Sequence, residues 1–195
     1  MSTQKRMSVR KLTVTGMMVA ITAVLAYTPL GIIPLQPVSA TTTHIPTIII
    51  AILEGPVAGA ITGLAFGLVS MFRAITQPTS ILSPCFINPL VSVLPRILIG
   101  VVAGWTFRIV KRVCKKTAVS AVFASALGSL TNTIGAMGMI YLLYAARLTE
   151  QMGSSAGVMI WGIITTYGIV EMLAAVVICT MVVLTLRKVI YGQSD

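Results

Sequence analysis

Apolar residues run along this chain in long uncharged blocks, separated by short stretches rich in proline, serine or basic residues. Leu12 to Ile33 carries no charge, and Ile45 to Phe72 is interrupted only at Glu54-Gly55-Pro56. Leu90 to Phe107 contains one charged residue, Arg96; Ala118 to Ala145 contains none; Ala156 to Leu186 contains Glu171 near its middle. A helix needs ~20 apolar residues to cross a bilayer, so each block except the second reads as one crossing. The second block has 28 residues, too few for two full crossings. It fits either one bent span or two short helices meeting at the Gly-Pro turn.

Composition and charge sharpen this picture. Of 195 residues, 56% are hydrophobic and 9% charged, against about a quarter charged in soluble domains. The expectation is an all-α membrane protein, residues 1–195 forming a single integral-membrane domain. The formal charge of +10 is not spread evenly. Lys5, Arg6, Arg10 and Lys11 precede the first block; Arg108, Lys111, Arg112, Lys115 and Lys116 sit mid-chain; Arg187 and Lys188 follow the last block. Basic residues flank the cytoplasmic ends of spans, so all three clusters belong on one side, with an even number of crossings before the middle cluster and after it. That parity favours two short helices in residues 45–72, hence six transmembrane helices with N- and C-termini cytoplasmic. The surplus charge is thereby a topology signal, and no nucleic-acid partner is expected. The basic start and Val38-Ser39-Ala40 imitate a signal peptide, but the apolar segment exceeds the usual ~7–15 residues, so cleavage is not expected. Cys85, Cys114 and Cys179 are far apart and form no CxxC, which argues against a disulfide or a metal site.

The candidate chemistry lies in polar groups at membrane depth. Arg96, Asn132 and Glu171 fall one each on the last three spans, and a lone charge there costs at least ~2.5–3.5 kcal/mol, so such groups face a cavity or one another. Two readings stand: a shared polar pocket, or an Arg96–Glu171 ion pair with Asn132 beside it as a purely structural lock. Tyr167 lies one turn from Glu171, with Trp161 nearer the outer end as a pocket residue or an interfacial anchor. Arg73, Asn88 and His44 come from the Pro-rich outer segments; His44 is equally a helix cap, and Arg73 equally a snorkelling cation. Two stripes of small residues accompany them. Gly16, Ala20 and Ala23 share a narrow face of the first helix, which serves internal packing or the docking of a partner helix. Gly55, Gly59, Gly63 and Gly67 form a ladder suited to close helix packing.

Equally informative is what the chain lacks. There is no G-x-x-x-x-G-K-[ST] loop to cradle a nucleotide phosphate and no H-E-x-x-H, and no serine stands out as a partner for the lone His44; an enzyme is not expected. Uphill transport would draw energy from an ion gradient or from another polypeptide.

Taken together, the helix 1 stripe, the Thr-Thr-His-Ile-Pro lead into a short second helix, Glu54-Gly55-Pro56-x-x-Gly59-x-x-x-Gly63 and the Pro95-Arg96 start of helix 4 resemble the S components of energy-coupling factor (ECF) transporters, small six-helix vitamin-capture proteins. The likeness covers nearly the whole chain; Gly16 stands where the family's helix 1 motif has its first alanine. The resemblance implies a substrate held near the outer face by helices 4 to 6 and the outer loops, one closing as a lid. It also implies docking through Gly16, Ala20 and Ala23 on a transmembrane coupling protein with two ATPase subunits. No cofactor is then bound by this chain, and ATP is used by the partners. The location is the plasma membrane of a prokaryote. Its local pattern is most similar to the pantothenate-type members, with Arg96, Asn132, Glu171, Tyr167, Asn88, Arg73, Trp161 and His44 as candidate ligand residues. Cobalamin, hydroxymethylpyrimidine or another vitamin precursor stays open as substrate. The alternative mechanism is a stand-alone transporter of a small anionic metabolite driven by protons through Glu171.

Overall fold

The computed structural model of the chain describes residues 9–28, 31–33, 40–78, 82–152 and 156–191. Among these residues, six helices carry the fold. α1 is Val9–Tyr27, α2 Ile45–Glu54 and α3 Pro56–Thr76. α4 runs Pro89–Cys114, with one break at Val93. α5 is Thr117–Met152, and α6 comprises Ala156–Ile163, a π-type turn Ile164–Gly168 and Ile169–Tyr191. All but α2 are long and apolar enough to cross a membrane. Between α1 and α2 the chain pairs with itself in a minimal antiparallel ladder, β1 (Ile32–Ile33) against β2 (Ala40–Thr41). Lys5, Arg6 and most of the Val38-Ser39-Ala40 sequence lie outside the described residues.

The two helices in the second block are unequal, which the sequence did not indicate. α2 has ten residues, a length of about 15 Å, half of the hydrocarbon thickness. Its isoleucines point in every direction, the pattern of a helix surrounded by protein, and every residue from Ile45 to Ile52 is buried. α3, with 21 residues, is a full crossing and extends past Phe72 to Thr76, so Arg73 stands in its last turn rather than in a loop. The reversal between them turns on Gly55 at φ 98, a left-handed conformation that favours glycine, and the Arg108 guanidinium packs against its Cα.

The glycine ladder acts in packing. A Cβ built on Gly59 would fall 2.8 Å from the Gly100 Cα, one on Gly67 would fall 2.7 Å from the Val93 Cα, and one on Gly63 would overlap the Arg96 carbonyl. Across the same seam, Gly104 lies against Pro56. α3 and α4 thus touch backbone to backbone, as small-residue seams in membranes permit. Ser92 Oγ ties them further by donating to the Gly67 carbonyl at 3.1 Å.

The charge clusters that fall among the described residues gather at one end of the bundle. Lys11 Nζ donates to the Glu54 carbonyl, Arg108 lies over Trp105 and beside Gly55, and Arg187 stacks 4.8 Å from the Phe107 ring. At the opposite end α5 continues as helix through Met152, seven residues past Ala145, where its uncharged block ends. Its 36 residues rise about 54 Å, so its last turns stand beyond a ~30 Å hydrocarbon layer.

Inside, two apolar clusters are stacked along the bundle. One joins Ile45, Ile48 and Ile52 to Ile99, Ala103, Ala121, Ala175 and Val183 towards the basic end. The other joins Leu82 and Val91 to Ala136, Ile140, Ile160 and Ile163. On α4, α5 and α6 the stretch between them carries Arg96, Ser129 with Asn132, and Glu171 respectively.

Gly59→Val forces the α3–α4 seam apart and is expected to cost about 1–3 kcal/mol, read as a lowered thermal unfolding midpoint of the purified protein in detergent. Gly138, with nothing within 4 Å of an added Cβ, provides the contrast: Gly138→Ala leaves the midpoint unchanged or slightly raised.

Candidate functional site

The polar layer between the two clusters is built from α2, α4, α5, α6 and the β2 segment. Arg96 enters it through a local device. Proline has no N–H, so the carbonyl four residues before Pro95, that of Val91, loses its helical donor. Arg96 Nη1 takes that place, donating to the Val91 oxygen at 2.9 Å. The guanidinium lies 5.5 Å from the Phe66 ring centre and 5.0 Å from that of Phe86, a distance at which ring faces attract a cation. Arg96 is buried, and its Nε has no protein partner.

Glu171 is held by the β2 segment rather than by Arg96. Its Oε1 accepts from the Thr41 N–H at 2.5 Å and from Thr41 Oγ1 at 3.4 Å, and its Oε2 accepts from Thr133 Oγ1 at 3.4 Å. An irregular backbone segment inside a bundle needs protein partners, and this carboxylate supplies one. The ion-pair lock between Arg96 and Glu171 is therefore not what the structure shows. The two nonetheless lie within Coulombic range of each other, and Arg96 within range of His44.

His44 stands at the N-cap of α2 without making a side-chain cap, and it is 1% exposed. Neither ring nitrogen has a hydrogen-bond partner; the Thr41 backbone is near the ring but outside hydrogen-bond geometry. Asn132 is buried with its Oδ1 unpartnered, next to the Thr133 that touches Glu171. Tyr167 is half-buried in the π-type turn one turn before Glu171 and packs on the outer apolar cluster. Such turns are frequent at functional sites.

The other candidates lie elsewhere. Asn88 caps α4: its Oδ1 accepts from the Leu90 N–H at 3.0 Å, and its Nδ2 donates to the Tyr144 hydroxyl at 3.3 Å. Arg73 is ten residues past Gly63, about 15 Å further along α3, with Nε and Nη1 buried and unpartnered. Trp161 is 68% exposed on the outer surface of α6, the placement of an interfacial anchor.

Several members of the layer escaped the sequence reading. Thr43, Thr47, Ser125 and Ser129 are fully buried with unpartnered hydroxyls. Thr22, Thr62 and Ser120 are equally buried, yet each donates to the carbonyl four residues back. The first group has turned away from its own backbone and towards the interior. Ser125, Ser129, Asn132 and Thr133 recur at helical spacing on one face of α5, a pattern visible in the sequence once the face is known. Buried polar atoms in native proteins find partners, so this concentration marks a place for a ligand or ordered water. One cation, one carboxylate and several neutral donors and acceptors suit a small molecule bearing a carboxylate together with hydroxyl or amide groups.

The family model described as ECF transporter, substrate-specific component, matches residues 10–183. The pantothenic acid transporter PanT of Lactococcus lactis subsp. cremoris is 30% identical over 166 residues, covering 78% of this chain and 80% of that protein. The pantothenate transporter PanT of Leuconostoc mesenteroides subsp. mesenteroides is 30% identical over 163 residues, covering 79% and 78%.

Glu171→Ala removes the acceptor that holds the β2 segment. The Thr41 amide should then exchange its hydrogen at least tenfold faster, since bonds to charged groups contribute about 1.5–3 kcal/mol; unchanged protection would show that other contacts hold the segment.

Proposed function

Because this chain belongs to the family of ECF-transporter substrate-specific components, we propose that it captures pantothenate at the Arg96 layer and delivers it by docking on a transmembrane coupling protein served by two ATPase subunits. The coarser part follows from membership itself: the chain is a membrane-embedded, vitamin-binding transporter subunit. The observation that carries the finer reading is the buried Arg96, caged by two aromatic rings with Nε unpartnered, among the unpartnered polar atoms of His44 and Asn132. A substrate carboxylate pairs with Arg96. Its hydroxyl and amide groups exchange hydrogen bonds with His44, Asn132 and the Glu171–Thr133 edge, and Tyr167 closes the outer side. The names of the two relatives supply the vitamin.

Docking rests on α1. Gly16 and Ala20 are exposed, Ala23 is half-buried, and an added Cβ at Gly16 would meet nothing within 4 Å. The face that α1 turns inward is a different one, Thr15, Thr22 and Ala26. The small-residue stripe is thus free to receive another helix at close range. The basic end of the bundle, where α1 begins and α6 ends, faces the cytoplasm, where the ATPases work. The opposite end receives the vitamin from outside.

Arg96→Ala is expected to weaken pantothenate binding to the purified protein more than tenfold while membrane insertion persists; unchanged affinity would make Arg96 a packing residue. A thermal-shift panel of water-soluble vitamins, cobalamin and hydroxymethylpyrimidine included, should single out pantothenate. Ala20→Trp should abolish ATP-driven uptake in vesicles holding the full complex and leave binding intact. Accumulation by this chain alone on a pH gradient, lost in Glu171→Gln, would instead establish the proton-coupled mechanism.

A further inference from the structure

Outside the Arg96 layer, the outer end holds an open cleft of about 540 Å³ between a 3₁₀ turn, Ser83–Ile87, and the projecting end of α5. That volume lies within the ~300–1,000 Å³ typical of small-molecule sites. Pro84, Cys85, Ile87 and Asn88 line one side; Tyr144, Arg147 and Leu148 line the other. Arg147 is the sole charged residue in the lining, and it is exposed. Glu150, one turn on, is not part of the wall. The two sides are tied together, since Asn88 Nδ2 donates to the Tyr144 hydroxyl, leaving that hydroxyl's own proton free to donate elsewhere.

The 3₁₀ turn divides this cleft from the Arg96 layer. Cys85 and Ile87 face the cleft, while Phe86 between them lies against the Arg96 guanidinium. We propose that the cleft is a second, outer binding site for small organic anions: an antechamber in which Arg147 and the Tyr144 hydroxyl receive a carboxylate before it passes the Phe86 turn to Arg96. Being open to water, the site concentrates and orients anions without holding them tightly. Its effect therefore falls on the rate of association, as expected of a rim charge screened by salt.

Identifying the transported anion as pantothenate rests on the function proposed above, so the test has two arms. In stopped-flow binding of pantothenate, Arg147→Glu should lower the association rate about tenfold at low salt, with dissociation unchanged and the difference shrinking at high salt. Arg147→Lys should restore the rate. An unchanged association rate, or a loss confined to dissociation, overturns the proposal. The second arm needs no vitamin. With Cys114 replaced by serine, native Cys85 in the cleft wall is labelled with a sulfonate-bearing or an ammonium-bearing methanethiosulfonate, Cys85→Ser giving the background. Faster labelling by the anionic reagent, reversed in Arg147→Glu, supports the site whichever vitamin is carried. Equal rates, or no labelling by either reagent, overturn it. Anion-selective labelling in a protein that does not bind pantothenate would uphold the antechamber and refute only the vitamin assignment.

Discussion

Everything else in this fold accommodates one constraint: a layer of polar side chains must sit at hydrocarbon depth and find its partners within the bundle. The answer is placement. Apolar clusters close the layer on both sides, and α2, hidden from lipid, brings His44 and Thr47 to it from within. The charges are shared with backbone atoms that irregular structure leaves free. Pro95 strips the Val91 carbonyl of its helical donor and Arg96 supplies another; the β2 segment offers a Thr41 N–H and Glu171 accepts it. In these two places an irregular backbone is matched by a charged side chain. Within the layer, Arg96 Nε, both His44 nitrogens, Asn132 Oδ1 and a set of hydroxyls stay unmatched. Buried polar groups left without partners cost about 1–3 kcal/mol each, so a ligand that satisfies them gains affinity beyond its own contacts.

The same arrangement keeps the polar layer apart from the exposed stripe on α1. The polar layer draws on α2, α4, α5, α6 and β2, whereas the exposed small-residue stripe is on α1, whose buried face meets its neighbours through Thr15, Thr22 and Ala26. A partner helix can cover Gly16 and Ala20 without repacking the layer. α2 touches both regions. Its C-terminal carbonyl at Glu54 accepts from Lys11 of α1, and its N-terminus carries His44.

The glycine seam shows how packing and site depend on one another. Gly63 lies against the Arg96 carbonyl, so the ladder that lets α3 approach α4 also sets where the Arg96 backbone stands. Phe66, on the same stretch of α3, reaches the guanidinium only because the helices are that close.

Hydropathy is a local property, and a membrane helix satisfies its backbone within its own segment. For that reason the helices, the shared end of the basic clusters and the depth of Arg96, Asn132 and Glu171 were legible in the residues themselves. Even the Gly-Pro break was visible, because a positive φ leaves its mark as glycine. Direction around each helix axis was not legible, since it depends on neighbours brought in by distant parts of the chain. Only the tertiary structure turned Gly16 outward, sent Trp161 to the surface and buried His44. It also joined Glu171 to Thr41, 130 residues away, where the charges alone had allowed a pairing with Arg96. Composition shows how deep a residue lies; which residue it meets is decided by the packing of whole helices against one another.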